Sequence, residues 1–442
     1  MVVIIGGGLA GMSTAYHLGN TPCTVLEAGP VAGGLCGSRT IDGFVFDYTG
    51  HLLHLRDPRI VALVDEWLPG VFSTIERKAY IHSHDVRLPF PFQANLHGLP
   101  PEVVSDCLMG FIRSLDVPVP DSPEVDFETW SLAVFGRGIS DAFMLPYNEK
   151  LFRRAPAEMT ADWVAWAVPK PNLEQVVQGA LGVVNRGLGY NSTFRYPTRG
   201  GIEVLPNVLA DRVRDRIRLN AEVQRVDMDR QVVTLADGEQ IAYDELVVTT
   251  PLPRFLNMLE GPSSELSSRA DKLDWSVVGC LNLGIDRPDV GGDAHWIYFP
   301  DDDSRYYRAG FPTNFSEGVA PEGTSSLYVE FGLRRDEVID EEAVCREAIA
   351  DLTRQGILRP DDRILVQDFI RIDPGYVIFD RDRQAVMNEV VPALANRGVH
   401  LIGRYGAWTY SYMERALLDG LELAERLSGC KAAQGRQGAL GV

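Results

Sequence analysis

The sequence predicts an α/β fold built on a parallel, dinucleotide-binding sheet, and three observations carry that prediction. A short apolar run, Val2-Val3-Ile4-Ile5, opens directly into a glycine-rich loop. An apolar helical pattern over Met12–Leu18 follows the loop. A second run, Cys23-Thr24-Val25-Leu26, then ends on an acid, Glu27. Strand, glycine loop, helix and strand in that order make a βαβ unit.

The loop Gly6-Gly7-Gly8-Leu9-Ala10-Gly11 fits GxGxxG. Gly6 permits the tight turn, Gly8 lets a pyrophosphate approach the backbone, and Gly11 lets helix and strand close up. The free N–H groups at the helix start face the phosphates. Glu27 stands where a carboxylate accepts ribose hydroxyls. GxGxxG alone is a weak signal; here the strand before it, the helix after it and the acid on the next strand make it specific. The cofactor follows from a second glycine pair. Gly33-Gly34 comes directly after the ribose acid, as in flavoproteins, and the strand ending Leu246-Val247-Val248-Thr249-Thr250-Pro251 has the form of another FAD-domain segment. FAD is therefore expected, with Val223 and Thr250 completing its site. The bland readings are ordinary turn glycines and a buried strand end.

The remaining elements follow in order. Residues 100 to 180 read mainly as helix, anchored by Trp130, Phe135, Phe143, Trp163 and Trp166. Residues 221 to 250 read as a β-meander, with Asp237-Gly238 as a turn. More strands are expected over 275 to 335, a helix over 341 to 355, a strand near 398 to 402, and a final helix. This order implies a Rossmann-type, glutathione-reductase-like FAD-binding domain that is discontinuous, with an inserted helical domain and an antiparallel β-sheet substrate domain. The expected segments are 1–80, 195–270 and 365–430 for FAD, 81–194 for the helical insertion, 271–364 for the substrate sheet, and a flexible tail over 431–442.

Bulk properties fit a soluble globular protein. The 442 residues are 45% hydrophobic and 23% charged, enough for several domains with a full core. A formal net charge of −19 argues against nucleic acid or an anionic membrane as partner. No run is long and apolar enough to span a membrane, and no basic segment precedes an apolar run at the start. Six scattered cysteines without CxxC read as reduced thiols. The expectation is a cytoplasmic protein with no metal site.

Further segments carry a family resemblance. Phe46-Asp47-Tyr48-Thr49-Gly50-His51, Leu88-Pro89-Phe90-Pro91-Phe92-Gln93, Met144-Leu145-Pro146-Tyr147-Asn148 and Asn191-Ser192-Thr193-Phe194-Arg195-Tyr196-Pro197 resemble UDP-galactopyranose mutases of the eukaryotic type. So do Trp296-Ile297-Tyr298-Phe299-Pro300, Tyr307-Arg308-Ala309, Gly375-Tyr376 and Gly403-Arg404-Tyr405-Gly406. The resemblance runs in order from residue 1 to about 428. Its flavin loops are shared with the wider amine oxidase and protoporphyrinogen oxidase superfamily.

The resemblance implies an isomerase that interconverts the rings of a nucleotide-linked sugar with no net redox change. Reduced flavin N5 attacks the anomeric carbon, displaces the nucleotide diphosphate, and the adduct opens and recloses through another hydroxyl. The active cofactor is then reduced FAD, with NAD(P)H a candidate reductant. His51 is implied on the loop facing the flavin, and Arg308 as the guanidinium that grips the diphosphate. Tyr298, Tyr376 and Tyr410 are implied at the substrate phosphates. Phe90, Gln93, Asn191 and Asn314 belong to the same substrate set, and Arg404 to the flavin. The bland alternative for Arg308 is an ion pair with Asp301-Asp302-Asp303; for each tyrosine it is a core residue with one satisfied hydroxyl.

Two departures stand out. The mutases carry a second phosphate-binding arginine where this chain has Ala167, and Lys170, Arg153 and Arg154 are candidates to replace it. The tyrosine of the mutase PYPFQ segment is Phe90. Two rival readings stay open beside the mutase-like one: a redox flavoenzyme of the amine oxidase superfamily, and a flavin-binding scaffold without turnover.

Overall fold

The computed structural model describes residues 1–429, apart from 121, 123, 163–167, 186, 187, 190 and 191. Two expected site positions, Ala167 and Asn191, lie outside the described residues, as do Trp163 and Trp166.

The apolar runs at the start form a parallel sheet. Its five strands lie in the order Val399–Leu401, Glu245–Val248, Val2–Ile5, Cys23–Leu26 and Ile217–Arg218, each pair parallel. Val2–Ile5 is central and fully buried, which accounts for its unbroken apolar sequence. The helix spans Leu9–His17, beginning three residues before the apolar pattern does, because Gly8 is extended and Leu9-Ala10 already turn. Gly11 therefore sits inside the helix. A Cβ there would lie 2.1 Å from the Gly6 carbonyl oxygen, so only glycine lets the helix start this close to the strand end. The helix Met413–Leu427 packs on it, and Ser13 donates to the Leu417 carbonyl at 2.7 Å.

The meander Val223–Asp227, Val232–Leu235 and Gln240–Ala242 forms its own antiparallel sheet beside this layer. The helical region contains Pro101–Ser114, Phe127–Ile139, Leu145–Phe152 and Leu173–Ala180.

A second sheet has seven strands, in the order Ile364–Val377, Trp275–Ile285, Ser325–Arg334, Arg308–Gly310, Trp296–Tyr298, Ala79–Ser83 and Val86–Pro89. Its pairs are antiparallel except Trp296–Tyr298 with Ala79–Ser83. It draws in the long strand Ile364–Val377, nearly all of which the sequence reading gives to the FAD-binding segments. Ala79–Ser83 and Val86–Pro89 join it from the other side. Among the described residues no helix is long and apolar enough to cross a membrane.

Candidate active site

Strand register builds the site. Directly paired residues on neighbouring strands point to the same face. Cys280 pairs with Glu330, Glu330 with Arg308, and Arg308 with Tyr298. These residues therefore form one rung across the sheet. Two residues along, the next rung on that face runs Asn282, Tyr328, Gly310 and Trp296. Gly310 has no side chain, and the Tyr328 ring fills its place: a Cβ at Gly310 would lie 2.1 Å from that ring. The two rungs give an otherwise apolar sheet a polar face.

That face looks into a cavity of about 830 Å³, continuous with the glycine loops of the parallel sheet. At the dinucleotide end the wall includes Gly6, Gly8, Glu27, Gly33, Gly34, Val223 and Thr250. At the other end it includes Phe90, Gln93, Tyr147, Tyr298, Arg308 and Tyr376. His51, Arg404 and Tyr410 line the same cavity.

The dinucleotide end fits FAD. Glu27 accepts the N–H of Gly7 at 2.8 Å and of Gly29 at 2.7 Å, which fixes its carboxylate on the wall. A Cβ at Gly8 would meet nothing within 4 Å, so the loop borders open space on the cavity wall. The second glycine pair closes on the first: Gly33 donates to the Gly7 carbonyl at 2.9 Å.

Arg308 is half-buried, with 19% of its side chain exposed, and its partner is Glu330, not the Asp301–Asp303 run. Its Nε donates to Glu330 Oε2 at 2.8 Å and its Nη2 to Oε1 at 2.7 Å. The Glu330 side chain is 0% exposed and also accepts the Gly50 N–H at 3.3 Å. Asp301 is engaged elsewhere, with Ser83 and His84, and Asp303 with Arg354. Arg404 is held differently. It donates to the carbonyls of Ser411 at 3.1 Å and Gly375 at 3.3 Å. Its guanidinium lies 4.9 Å from the Tyr376 ring centre and 5.6 Å from that of Tyr410. No carboxylate pairs with it among the described residues, and its buried Nε makes no hydrogen bond.

Electrostatics set the protonation states. Burial, reinforced by the Arg404 charge, pulls His51 down to about 4, so it is neutral at pH 7. Burial pushes the Tyr376 phenol up to about 12, leaving it an O–H donor. Tyr147 is likewise raised by burial.

Other expected residues fall variously. Gln93 is buried and donates to the Pro169 carbonyl at 2.6 Å. Phe90 lies under the Arg77 guanidinium at 4.5 Å and 5.4 Å from the Tyr298 ring. Asn314 is not on the cavity wall; its amide donates to the Ala294 carbonyl at 2.5 Å. The candidates to replace a second arginine are also off the wall. Lys170 sits over the Trp130 ring, and Arg154 pairs with Glu158 and Asp274. Arg153 is exposed. Sequence reasoning missed Glu330. Its signal was an acid inside the apolar strand Ser325–Arg334, where a buried charge requires a partner.

A Rossmann-type dinucleotide loop that shares one cavity with an aromatic, arginine-bearing sheet defines a flavin-dependent enzyme, and comparison with known proteins agrees. The family model for flavin containing amine oxidoreductases matches residues 9–428, and the chain belongs to that family. Its cofactor is FAD. Among solved structures, a reduced UDP-galactopyranose mutase superposes with a TM-score of 0.90 at 28% identity, covering 97% of this chain and 93% of that one. A protein described as a putative protoporphyrinogen oxidase from Exiguobacterium sp. gives 0.72 at 17% identity, covering 97% and 98%. Cyclohexylamine oxidase from Brevibacterium oxydans gives 0.68 at 16%, with the same coverage. The last two share the fold.

Proposed function

We propose that this flavoenzyme isomerises the ring of a nucleotide-activated or otherwise phosphorylated sugar. The observation that carries the reading is that Arg308 and Tyr298, rung neighbours of Glu330, line the same cavity as the FAD loops. An amine substrate has no use for a guanidinium there; a phosphoryl group does. The likeness to a UDP-galactopyranose mutase supports the same reading.

Reduced FAD, when bound, supplies the nucleophile for the anomeric carbon. The chain's own residues bind and orient. Arg308 Nη1 is left free by Glu330 and is available to a phosphoryl oxygen. The Tyr376 hydroxyl remains protonated and donates. The Arg404 cation, near His51, opposes negative charge on a reduced flavin ring. Neutral His51 adds no second positive charge beside Arg404. The aromatic wall excludes water from the reacting carbon.

The test is turnover with a reduced cofactor. Protein reduced by dithionite or a nicotinamide should interconvert the pyranose and furanose forms of a nucleotide-linked galactose, followed by chromatography. Many turnovers should occur per equivalent of reductant. An oxidised product formed with stoichiometric oxygen consumption would instead establish a redox enzyme. A flavin spectrum that no sugar or amine perturbs would establish a scaffold.

A further inference from the structure

The charge around Arg308 limits what the cavity can hold. Arg308 and Glu330 are rung partners on adjacent strands, so the sheet register holds the two side chains together. A guanidinium has five N–H donors. Two of them, on Nε and Nη2, point at Glu330. Three remain: one on Nη1 and the outer one on Nη2 form a single fork that matches one phosphoryl group, and the second Nη1 N–H points back along the side chain. The pair as a whole carries no net charge.

The other described arginines of the cavity wall are Arg254, Arg371 and Arg404, and none lies on the Arg308 rung. Arg371 pairs with Gly279, one residue out of phase with the Cys280–Glu330 rung, so its side chain leaves by the opposite face. There it donates to the carbonyls of Glu337 and Arg335. Arg254 is paired with Glu222. Arg404, held by the Ser411 and Gly375 carbonyls beside His51, keeps its charge, and that charge is the one set against the reduced flavin above. The sequence position that resembles the second mutase arginine holds Ala167.

Resting on the ring-isomerase reading above, we infer that the substrate is a glycosyl phosphodiester, its sugar joined through a single phosphoryl group, and that Glu330 sets this preference. A phosphodiester brings one negative charge to the free fork of Arg308. A sugar nucleoside diphosphate brings two, and the second would be buried beside a neutral pair. Glu330 is thus a specificity-determining residue that subtracts one positive charge from the phosphoryl site.

The experiment uses the FAD-loaded protein and two matched probes, galactose linked to uridine through one phosphoryl group and UDP-galactose. Binding is followed by flavin absorbance in wild type and in Glu330→Gln, with FAD content and unfolding midpoint as checks on folding. Wild type should bind the one-phosphoryl probe at least as tightly as UDP-galactose. Glu330→Gln should raise the affinity for UDP-galactose about tenfold or more over any gain for the other probe, about 1.4 kcal/mol of added discrimination. UDP-galactose binding tenfold more tightly to wild type would overturn the inference, and needs no variant. So would equal gains for both probes in Glu330→Gln, or no binding of either probe. If wild type binds and isomerises UDP-galactose efficiently, this inference falls and the ring-isomerase reading stands. If it binds the one-phosphoryl probe but oxidises it, the isomerase reading falls instead.

Discussion

Replacing Arg308 by methionine should destabilise the protein by an amount that its pairing with Glu330 sets. The substitution leaves Glu330 buried, with the Gly50 N–H at 3.3 Å as its remaining hydrogen-bond donor among the described residues. Breaking a buried ion pair from one side costs about 3–5 kcal/mol. The loss in Arg308→Met should therefore be about 3–4 kcal/mol. That is a large share of a typical total stability of about 5–15 kcal/mol. Adding Glu330→Gln should recover most of it, giving a coupling energy of about 2–3 kcal/mol in the double-mutant cycle. Urea unfolding of the FAD-loaded single and double variants at pH 7 measures all of these. A loss below about 1 kcal/mol, or no recovery in the double variant, would show that water reaches Glu330 and would refute the neutral-pair argument.

Two further outcomes are expected. Glu27→Ala removes the carboxylate that accepts Gly7 and Gly29, so the purified protein should retain less FAD while keeping its far-ultraviolet circular dichroism; full FAD content would remove Glu27 from the cofactor site. Stability should also fall as pH falls from 6.5 towards 4. His17, His51 and His295 are each pulled down to about 4, chiefly by burial, so the unfolded chain takes up protons that the folded one refuses. Asp47, pushed up to about 6 by burial, offsets part of this loss below pH 6. Urea midpoints at pH 7.5, 6 and 5 check the direction, and a midpoint that rises on acidification would contradict it.

What was legible in the sequence was local. GxGxxG between two apolar runs marks a strand, a turn and a helix within thirty residues, and each obeys its own steric rule. Asp237-Gly238 marked a turn for the same reason. The same signal at Asp42-Gly43 went unused, although both residues have positive φ and join Ser38–Ile41 to Phe44–Asp47 as a hairpin. Glu330 shows where local reasoning stops. Its alternation with Tyr328 inside an apolar strand marks a polar face, but its partner depends on which strand lies alongside and in what register. That pairing is fixed by packing of segments far apart in the chain. Asn314 shows the converse: a polar residue near matching motifs, turned by its short helical segment towards the Ala294 carbonyl instead of the cavity.

The packing of Leu9–His17 against Met413–Leu427 bears on how the protein is made. Gly6, Gly8 and Leu9 border the cavity, and so do Gly403, Arg404 and Met413. The Gly403 N–H is anchored by Asp419, on the later helix. A growing chain that has reached residue 400 already carries its glycine loop and its ribose acid, yet lacks the wall that closes over them. Synthesis therefore leaves an interval in which the dinucleotide strands exist without the element that seals them. Cofactor capture is then a late event that follows release of the final helix. A truncation before residue 403 should yield a colourless chain, where one confined to the residues after 429 should stay yellow.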